Sequence, residues 1–543
     1  MAVLILTGAI VALFLSESLV VKAEVRSYVA AVYEHRVILN PEPHVPNERE
    51  AALAHMSKNL DVFEVQAASA ARQAAQIIVF PEDGIQGFNF TRTSIAGYLE
   101  TVPDPRVVTW NPCTEPDRFP NTEVLQRLSC MAQKNHLFLV ANMPDRQDCD
   151  NLTDPHCPPD GRYQFNTDVV FSDNGTLIAR YHKQNLYFEA AFDTPPECEH
   201  ITFTTPFAGK FGVFTCFDTL FYEPVLTLVK DMGVRQFVFP TAWMNQLPLL
   251  AAVQFQQSFS YATGITLLAA NIQAKDLGMT GSGIFTPWHA VCHHDMERET
   301  GKLLVSKVPV LDPSMMEDGE ESSRLKLIPF SGHSKHRSRS EELAEEHADP
   351  SWSMSGSQFD VHEQKKSTES DHCLAEDLGC SERVISEANT FNSIMMYDNF
   401  TFVPLRGVEG NLKVCDGSLC CHLWFQRSGP EEELYALGAF QGLHVVHGTY
   451  YLEVCALVRC TGTEFGSCGG EIENAQTVVD FRLQGTFSTP HIYPGVLGSE
   501  MTLDRPDESG WESKSEFYMT RKGMATGLVT AVLYGRVYEK DDE

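Results

Sequence analysis

The chain is short of basic residues: 41 Lys and Arg stand against 72 Asp and Glu, for a net charge of −31 over 543 residues. Nucleic-acid binding needs a basic face, so that class is set aside. Phosphate-cradling glycine motifs are absent; neither G-x-G-x-x-G nor a Walker sequence occurs, which leaves nucleotide chemistry without support. There is no G-x-S-x-G elbow around Ser282 or elsewhere, which argues against a serine hydrolase. No repeat of 20–50 residues is present, so solenoids and propellers are excluded. After the first apolar run no second long hydrophobic segment follows, and the chain ends charged, on Lys540-Asp541-Asp542-Glu543. A lipid-anchor signal has a hydrophobic tail at that place, so no membrane anchor is expected.

What is present points outside the cell. Ala2 to Leu15 are apolar, and Val21-Lys22-Ala23 offers small residues at the positions a signal peptidase reads, so residues 1–23 are expected to be a secretory signal peptide, although no basic residue precedes Lys22. Asn89, Asn151, Asn174 and Asn399 each open an Asn-X-Thr acceptor for glycosylation. Fifteen cysteines in an oxidising compartment suit seven disulfides and one free thiol.

Residues 24–310 alternate strand and helix patterns. Tyr28–Val37 and Ile77–Phe80 read as strands, with a helix over Glu50–Gln76 between them. Asn121 is placed to cap a helix through Met131, with Leu137–Ala141 the next strand. Ser172-Asp173-Asn174-Gly175 marks a hairpin. Gly212–Cys216, Phe237–Pro240 and Ile265–Ala270 read as strands, and Leu247–Gly264 as a helix. This order predicts a layered α/β sandwich. Residues 311–390 are polar and charged, with a basic stretch at 334–340 between acidic runs, and read as a linker. Residues 391–543 show short β-rich runs punctuated by Gly and Pro with many cysteines, a disulfide-stapled β domain. The adjacent Cys420 and Cys421 are each expected to pair elsewhere. Cys292-His293-His294-Asp295 looks like a metal cluster, but neighbours on a strand point to opposite faces, so the structural reading is preferred.

Three strand ends bring together the parts of an amide-cleaving site. Cys216 ends one strand, Glu82 follows Ile77–Phe80, and Lys183 follows Leu177–His182. A thiol attacks an amide as the thiolate, which must be stabilised or formed during attack. Glu82 can take that proton and return it to the departing amine. Lys183 and the backbone N–H of Phe217 can stabilise the oxyanion.

The local sequences Phe80-Pro81-Glu82, His182-Lys183-Gln184-Asn185-Leu186 and Phe214-Thr215-Cys216-Phe217-Asp218 resemble the Glu, Lys and Cys motifs of the nitrilase superfamily. Asp160-Gly161-Arg162-Tyr163-Gln164, Pro240-Thr241-Ala242-Trp243-Met244-Asn245, Met279-Thr280-Gly281-Ser282-Gly283-Ile284, Cys420-Cys421-His422-Leu423 and Tyr435-Ala436-Leu437-Gly438-Ala439-Phe440 extend the resemblance to its biotinidase and vanin branch. The resemblance implies an αββα sandwich followed by a smaller β-rich accessory domain. It implies hydrolysis of a small-molecule linear amide without metal or organic cofactor, with Glu82 as base and acid, Lys183 as oxyanion stabiliser and Cys216 as nucleophile. In this branch the substrate is a biotin amide such as biocytin or a biotinyl peptide, with biotinyl transfer to amines as a side route, or else pantetheine. Asn185–Asp193 and the charged C-terminus favour the biotin amide and free secretion. A silent binding glycoprotein is the reading from another class. Tyr187, Phe188 and Trp243 are candidate walls of the substrate pocket, and Glu189 a candidate second acid. Cys198 and Cys292 fall where the family pattern has no cysteine.

Overall fold

The computed structural model describes residues 26–311, 390–464 and 466–541. The segment 1–23, the basic stretch 334–340 and nearly all of 311–390 lie outside the described residues.

The first half contains β1 (Ser27–Glu34), α1 (Arg49–Arg72), β2 (Ile77–Val79), α2 (Glu123–Asn135), β3 (Phe138–Asp148), β4 (Arg162–Phe171), β5 (Leu177–His182), β6 (Thr202–Thr205), β7 (Gly209–Val213), α3 (Val225–Lys230), β8 (Gln236–Thr241), α4 (Ala252–Thr263), β9 (Thr266–Asn271), β10 (Ser282–Phe285), β11 (Ala290–His293) and β12 (Lys302–Pro309). They make two six-stranded sheets, ordered β12-β1-β2-β3-β4-β5 and β11-β10-β9-β8-β7-β6. The centre of each is parallel, β1-β2-β3 in one and β7-β8-β9 in the other. Parallel strands require both faces covered, and the sequence supplies that. In β1, Ala31 and Tyr33 pack on the α1 side with Met56, Leu60 and Phe63. Ala30 and Val32 point the other way, into the core shared with Val213, Phe237, Phe239 and Leu268 of the second sheet. The architecture is an αββα sandwich.

Several boundaries differ from the sequence reading. The helix read from Asn121 is capped by neither Asn121 nor a side chain of its cap residue, Thr122. Its first N–H groups, on Val124 and Leu125, donate instead to the buried Glu100 carboxylate at 2.8 and 3.0 Å. A distant acid therefore neutralises the positive end of α2, which a local pattern does not reveal. The strand read through Cys216 stops at Val213. The hairpin at 172–175 is as expected: Gly175 takes φ +89° and β4 pairs antiparallel with β5.

The second half is all β. It holds β13 (Phe391–Met395), β14 (Asp398–Pro404), β15 (Glu409–Asp416), β16 (Leu419–Ser428), β17 (Leu434–His444), β18 (Tyr450–Cys460), β19 (Val478–Thr486), β20 (Ile492–Gly498), β21 (Thr502–Asp504), β22 (Glu508–Trp511), β23 (Glu516–Arg521) and β24 (Leu528–Arg536). A seven-stranded sheet, β13-β14-β17-β18-β24-β20-β21, packs on a five-stranded one, β15-β16-β19-β23-β22. Alternating residues such as Leu419, Cys421, Leu423 and Phe425 fill the space between them. The Cys421–Cys455 disulfide joins the two sheets, and Cys415–Cys420 and Cys460–Cys468 close local turns. Cys113–Cys130 and Cys149–Cys157 lie in the αββα half. The expected single free thiol is corrected: among the described residues Cys198, Cys216 and Cys292 are all outside disulfides.

The faces of α4 tie the halves together. Phe255 and Phe259 meet Tyr493 of β20 at ring distances of 6.0 and 5.2 Å, so the seven-stranded sheet covers the outer side of this helix.

Candidate active site

Glu82, Lys183 and Cys216 converge just beyond the C-terminal ends of β2, β5 and β7. Hydrophobic strands deliver the chain to the sheet edge, and the polar residue that follows turns inward. Lys183 Nζ donates to Glu82 Oε1 at 2.6 Å, and both side chains are 2% exposed. Glu189 joins them: its Oε2 is 2.9 Å from the same ammonium. Asn166 Nδ2 donates to Glu82 Oε1 at 2.8 Å and to Glu189 Oε1. The Ala242 N–H donates to Glu82 Oε2 at 2.9 Å, and Ala242 lines the same cavity as Cys216. Asn142 donates to Asn166 Oδ1 at 2.5 Å and to Asp168 Oδ1 at 2.9 Å, which fixes the amide that bridges the two acids.

The electrostatics follow from burial. Removal from water pulls the Lys183 ammonium toward its neutral form, but Glu189 and Glu82 outweigh this and hold it charged well above the usual lysine range. Burial raises Glu189, and Lys183 pulls it back. Asp83, buried beside both glutamates, is pushed well up by burial and then by their charges, which disfavours a third negative charge there. Burial, followed by the Glu82 charge, pushes the Cys216 thiol well up, with Lys183 opposing. The resting Cys216 is therefore the thiol. A thiol in this state would need a base to take its proton before or during an attack.

Cys216 is not on a strand. It opens a short 3-10 turn, Cys216–Leu220, with φ +43°. A non-glycine residue in that region is strained and persists only where the surroundings hold it. Here Thr215 and Asp218 form a capping box around the turn. Asp218 Oδ2 also accepts from the Tyr181 hydroxyl at 2.7 Å, and its Oδ1 from Asn185 N at 2.8 Å. Thr215 Oγ1 donates to Asp168 at 2.8 Å. From the β domain, the buried Arg536 Nε donates to Leu220 O at 2.8 Å. The turn is clamped from both halves of the molecule.

Above the thiol is a narrow cavity. Cys216 lies in its wall with Tyr187, Phe217, Leu220, Trp243 and Leu250 from the sandwich, and His444, Val446, His447 and Tyr450 from the β domain. The second group sits on the β17–β18 hairpin, more than two hundred residues after the nucleophile, and sequence reading missed it. The signal was an apolar hairpin tip, Val445-Val446-His447-Gly448, with Val445 exposed. The walls are mostly apolar, with a few polar groups, the form of a small-molecule site. Tyr187 and Trp243 both line the cavity, and the Trp243 indole is fixed by donating to Leu250 O at 2.9 Å. Phe188 is corrected: it is 70% exposed and lies outside the cavity. Its positive φ of +55° turns it outward, where it packs edge-on against His447 at 4.6 Å. Asn89, Asn151, Asn174 and Asn399 are all exposed.

The family description "Carbon-nitrogen hydrolase" matches residues 38–273, and "Vanin C-terminal domain" matches residues 389–541. The chain is 53% identical to a biotinidase of Bos taurus, over 95% of this chain and 93% of that one. It is 50% identical to a biotinidase of Homo sapiens, over 97% and 92%. A pantetheinase of Bos taurus is 43% identical over 95% and 90%. A thiol in the wall of a cavity and a buried lysine paired with two acids, on this sandwich and with these relatives, lead to one conclusion: the chain belongs to the biotinidase and vanin branch of the nitrilase, or carbon-nitrogen hydrolase, superfamily and is a C–N amide hydrolase.

Proposed function

We propose that the protein is a secreted glycoprotein that releases biotin from biotinyl amides such as biocytin through a thioester on Cys216. The observation that supports the chemistry most is the buried Glu82–Lys183 pair, whose carboxylate is held by the N–H of Ala242, a residue that lines the cavity together with Cys216. Identity of 50–53% to biotinidases against 42–43% to pantetheinases supports the acyl group. We further propose that residues 24–310 are the catalytic domain, that 391–543 complete its pocket, and that residues 1–23 direct export. The exposure of all four acceptor asparagines and the absence, among the described residues, of a helix long and apolar enough to cross a membrane are consistent with that.

In the reaction, the Cys216 thiol attacks the amide carbonyl carbon as Glu82 accepts its proton. The carbonyl π electrons move to oxygen, and Lys183 and the Phe217 N–H hold that oxyanion. The oxyanion collapses, the C–N bond breaks, and Glu82 gives its proton to the leaving amine. Water then attacks the thioester with Glu82 as base. The acid departs, and the proton returns to the Cys216 sulfur. An amine in place of water gives biotinyl transfer. Glu189 and Asn166 do not touch the substrate in this scheme; they keep Lys183 charged and Glu82 aimed.

Biocytin and pantetheine given to wild type and Cys216→Ser test the reading. Biotin release by the wild type, lost by at least about a thousandfold in the variant, is the expected result. Preferred cleavage of pantetheine contradicts the biotin assignment, and equal negligible turnover by both proteins contradicts the enzyme.

A further inference from the structure

Outside the cavity, three metal-ligating side chains of different chemistry meet. Cys198, His200 and Glu223 each present one ligand atom, and these atoms lie within 4.8 Å of one another. All three residues are partly buried, and Cys198 is in no disulfide. Cys198 and His200 are two residues apart on the approach to β6. Glu199 between them turns the other way, its carboxylate 3.3 Å from the His182 ring and 3.3 Å from Arg106. Alternation thus leaves the thiol and imidazole on one face. Glu223 comes from the segment between the nucleophile turn and α3. Its Oε2 is 2.6 Å from His200 Nε2. Its Oε1 accepts from Thr227 Oγ1 at 2.8 Å, the kind of outer partner that orients a metal-binding carboxylate.

We propose that Cys198, His200 and Glu223 form a binding site for Zn²⁺ or a similar borderline-soft divalent ion, with water as the fourth ligand. A sulfur, nitrogen and oxygen set favours zinc over calcium and magnesium, which take oxygen ligands. Bonds of about 2.0–2.3 Å in a tetrahedron place ligand atoms about 3.3–3.7 Å apart. The widest pair must therefore close by no more than about 1.5 Å, and His200 and Glu223 must part by about 0.7 Å. Binding forms S–M, N–M and O–M bonds and releases the Cys198 thiol proton to solvent; nothing is oxidised or reduced.

The site lies beside the machinery without belonging to it. The Glu223 carbonyl accepts from Asn185 Nδ2 at 3.1 Å, and the same amide donates to Asp218 Oδ1 at 2.9 Å. Asp218 braces the Cys216 turn. An ion on Glu223 would pin the segment that follows that turn to the segment leading into β6.

The full-length protein, stripped with chelator and titrated with Co²⁺, tests the site. Expected are about one Co²⁺ per chain with a near-ultraviolet thiolate-to-cobalt charge-transfer band, bleached by Zn²⁺. Cys198→Ser loses the band, and Cys216→Ser and Cys292→Ser keep it. Thr227→Val binds Co²⁺ about tenfold more weakly, and His200→Asn, which keeps the thiol, is weakened at least as much. These two decide the matter if Cys198→Ser does not fold. Absence of the band in wild type, its survival in Cys198→Ser, its loss in Cys216→Ser or Cys292→Ser, unchanged affinity in both Thr227→Val and His200→Asn, or a Cys198 disulfide in the peptide map each overturns the site. None of these readouts depends on amide hydrolysis.

Discussion

At the residue scale, one amide holds two acids in place. Asn166 bridges Glu82 and Glu189 while Asn142 fixes its oxygen. Replacing it with Ala leaves two buried carboxylates around one ammonium with a donor removed. Asn166→Ala is expected to lower kcat about 10–100-fold with little change in KM and to shift the acid limb of the kcat/KM profile; an unchanged pH profile would make Asn166 merely structural. His182, next to Lys183, carries a pH signature. Burial opposes its charged form, but Asp145 at 2.9 Å and Glu199 at 3.3 Å more than offset that, so its pKa lies above the usual histidine value. The folded state then binds the extra proton. Its stabilising contribution is complete below about pH 6.5 and is lost as pH rises through the folded-state value. His182→Asn should therefore flatten the decline of Tm above neutrality, and a decline as steep as that of wild type contradicts the assignment.

At the scale of elements, the β17–β18 hairpin supplies four residues of the cavity wall. Gly448 takes φ +136°, and a Cβ there would stand 2.7 Å from the Phe217 ring. Gly448→Val should push the hairpin off the sandwich and raise KM for the amide by roughly tenfold, with a smaller effect on kcat. An unchanged KM would remove the hairpin from the substrate site. This element also marks how far the sequence could be read. Glu82, Lys183 and Cys216 stood out because each follows a short apolar run, and the turn at Asn174-Gly175 fixed one hairpin. Local patterns did not place Asn166 against Glu82, Glu100 at the start of α2, or Tyr450 above Cys216, because these contacts join residues far apart in the chain. The strand expected through Cys216 failed for a similar reason. Its residues are β-branched and aromatic, but the capping box and Asp168 hold the chain in a turn. Phe188 looked like a wall beside Tyr187, and one positive φ turned it to solvent.

At the scale of the whole molecule, the β domain lines the cavity that holds Cys216. Arg536 donates to the end of the nucleophile turn, its guanidinium is paired to Asp541 at 2.7 Å, and the hairpin covers the thiol. The Cys421–Cys455 bond holds the two sheets of this domain together across a separation of 34 residues. Replacing both cysteines with Ala should cost about 2–5 kcal/mol and lower amidase activity along with the Tm. Full activity in a β domain loosened this way would contradict the dependence of the cavity on it. The measurement closest to the central claim is the intact mass of wild-type protein quenched during turnover of biocytin. The account predicts one biotinyl group in thioester linkage, mapped to Cys216 and absent after that thiol is alkylated. Undiminished biotin release by protein whose Cys216 is fully alkylated would contradict it.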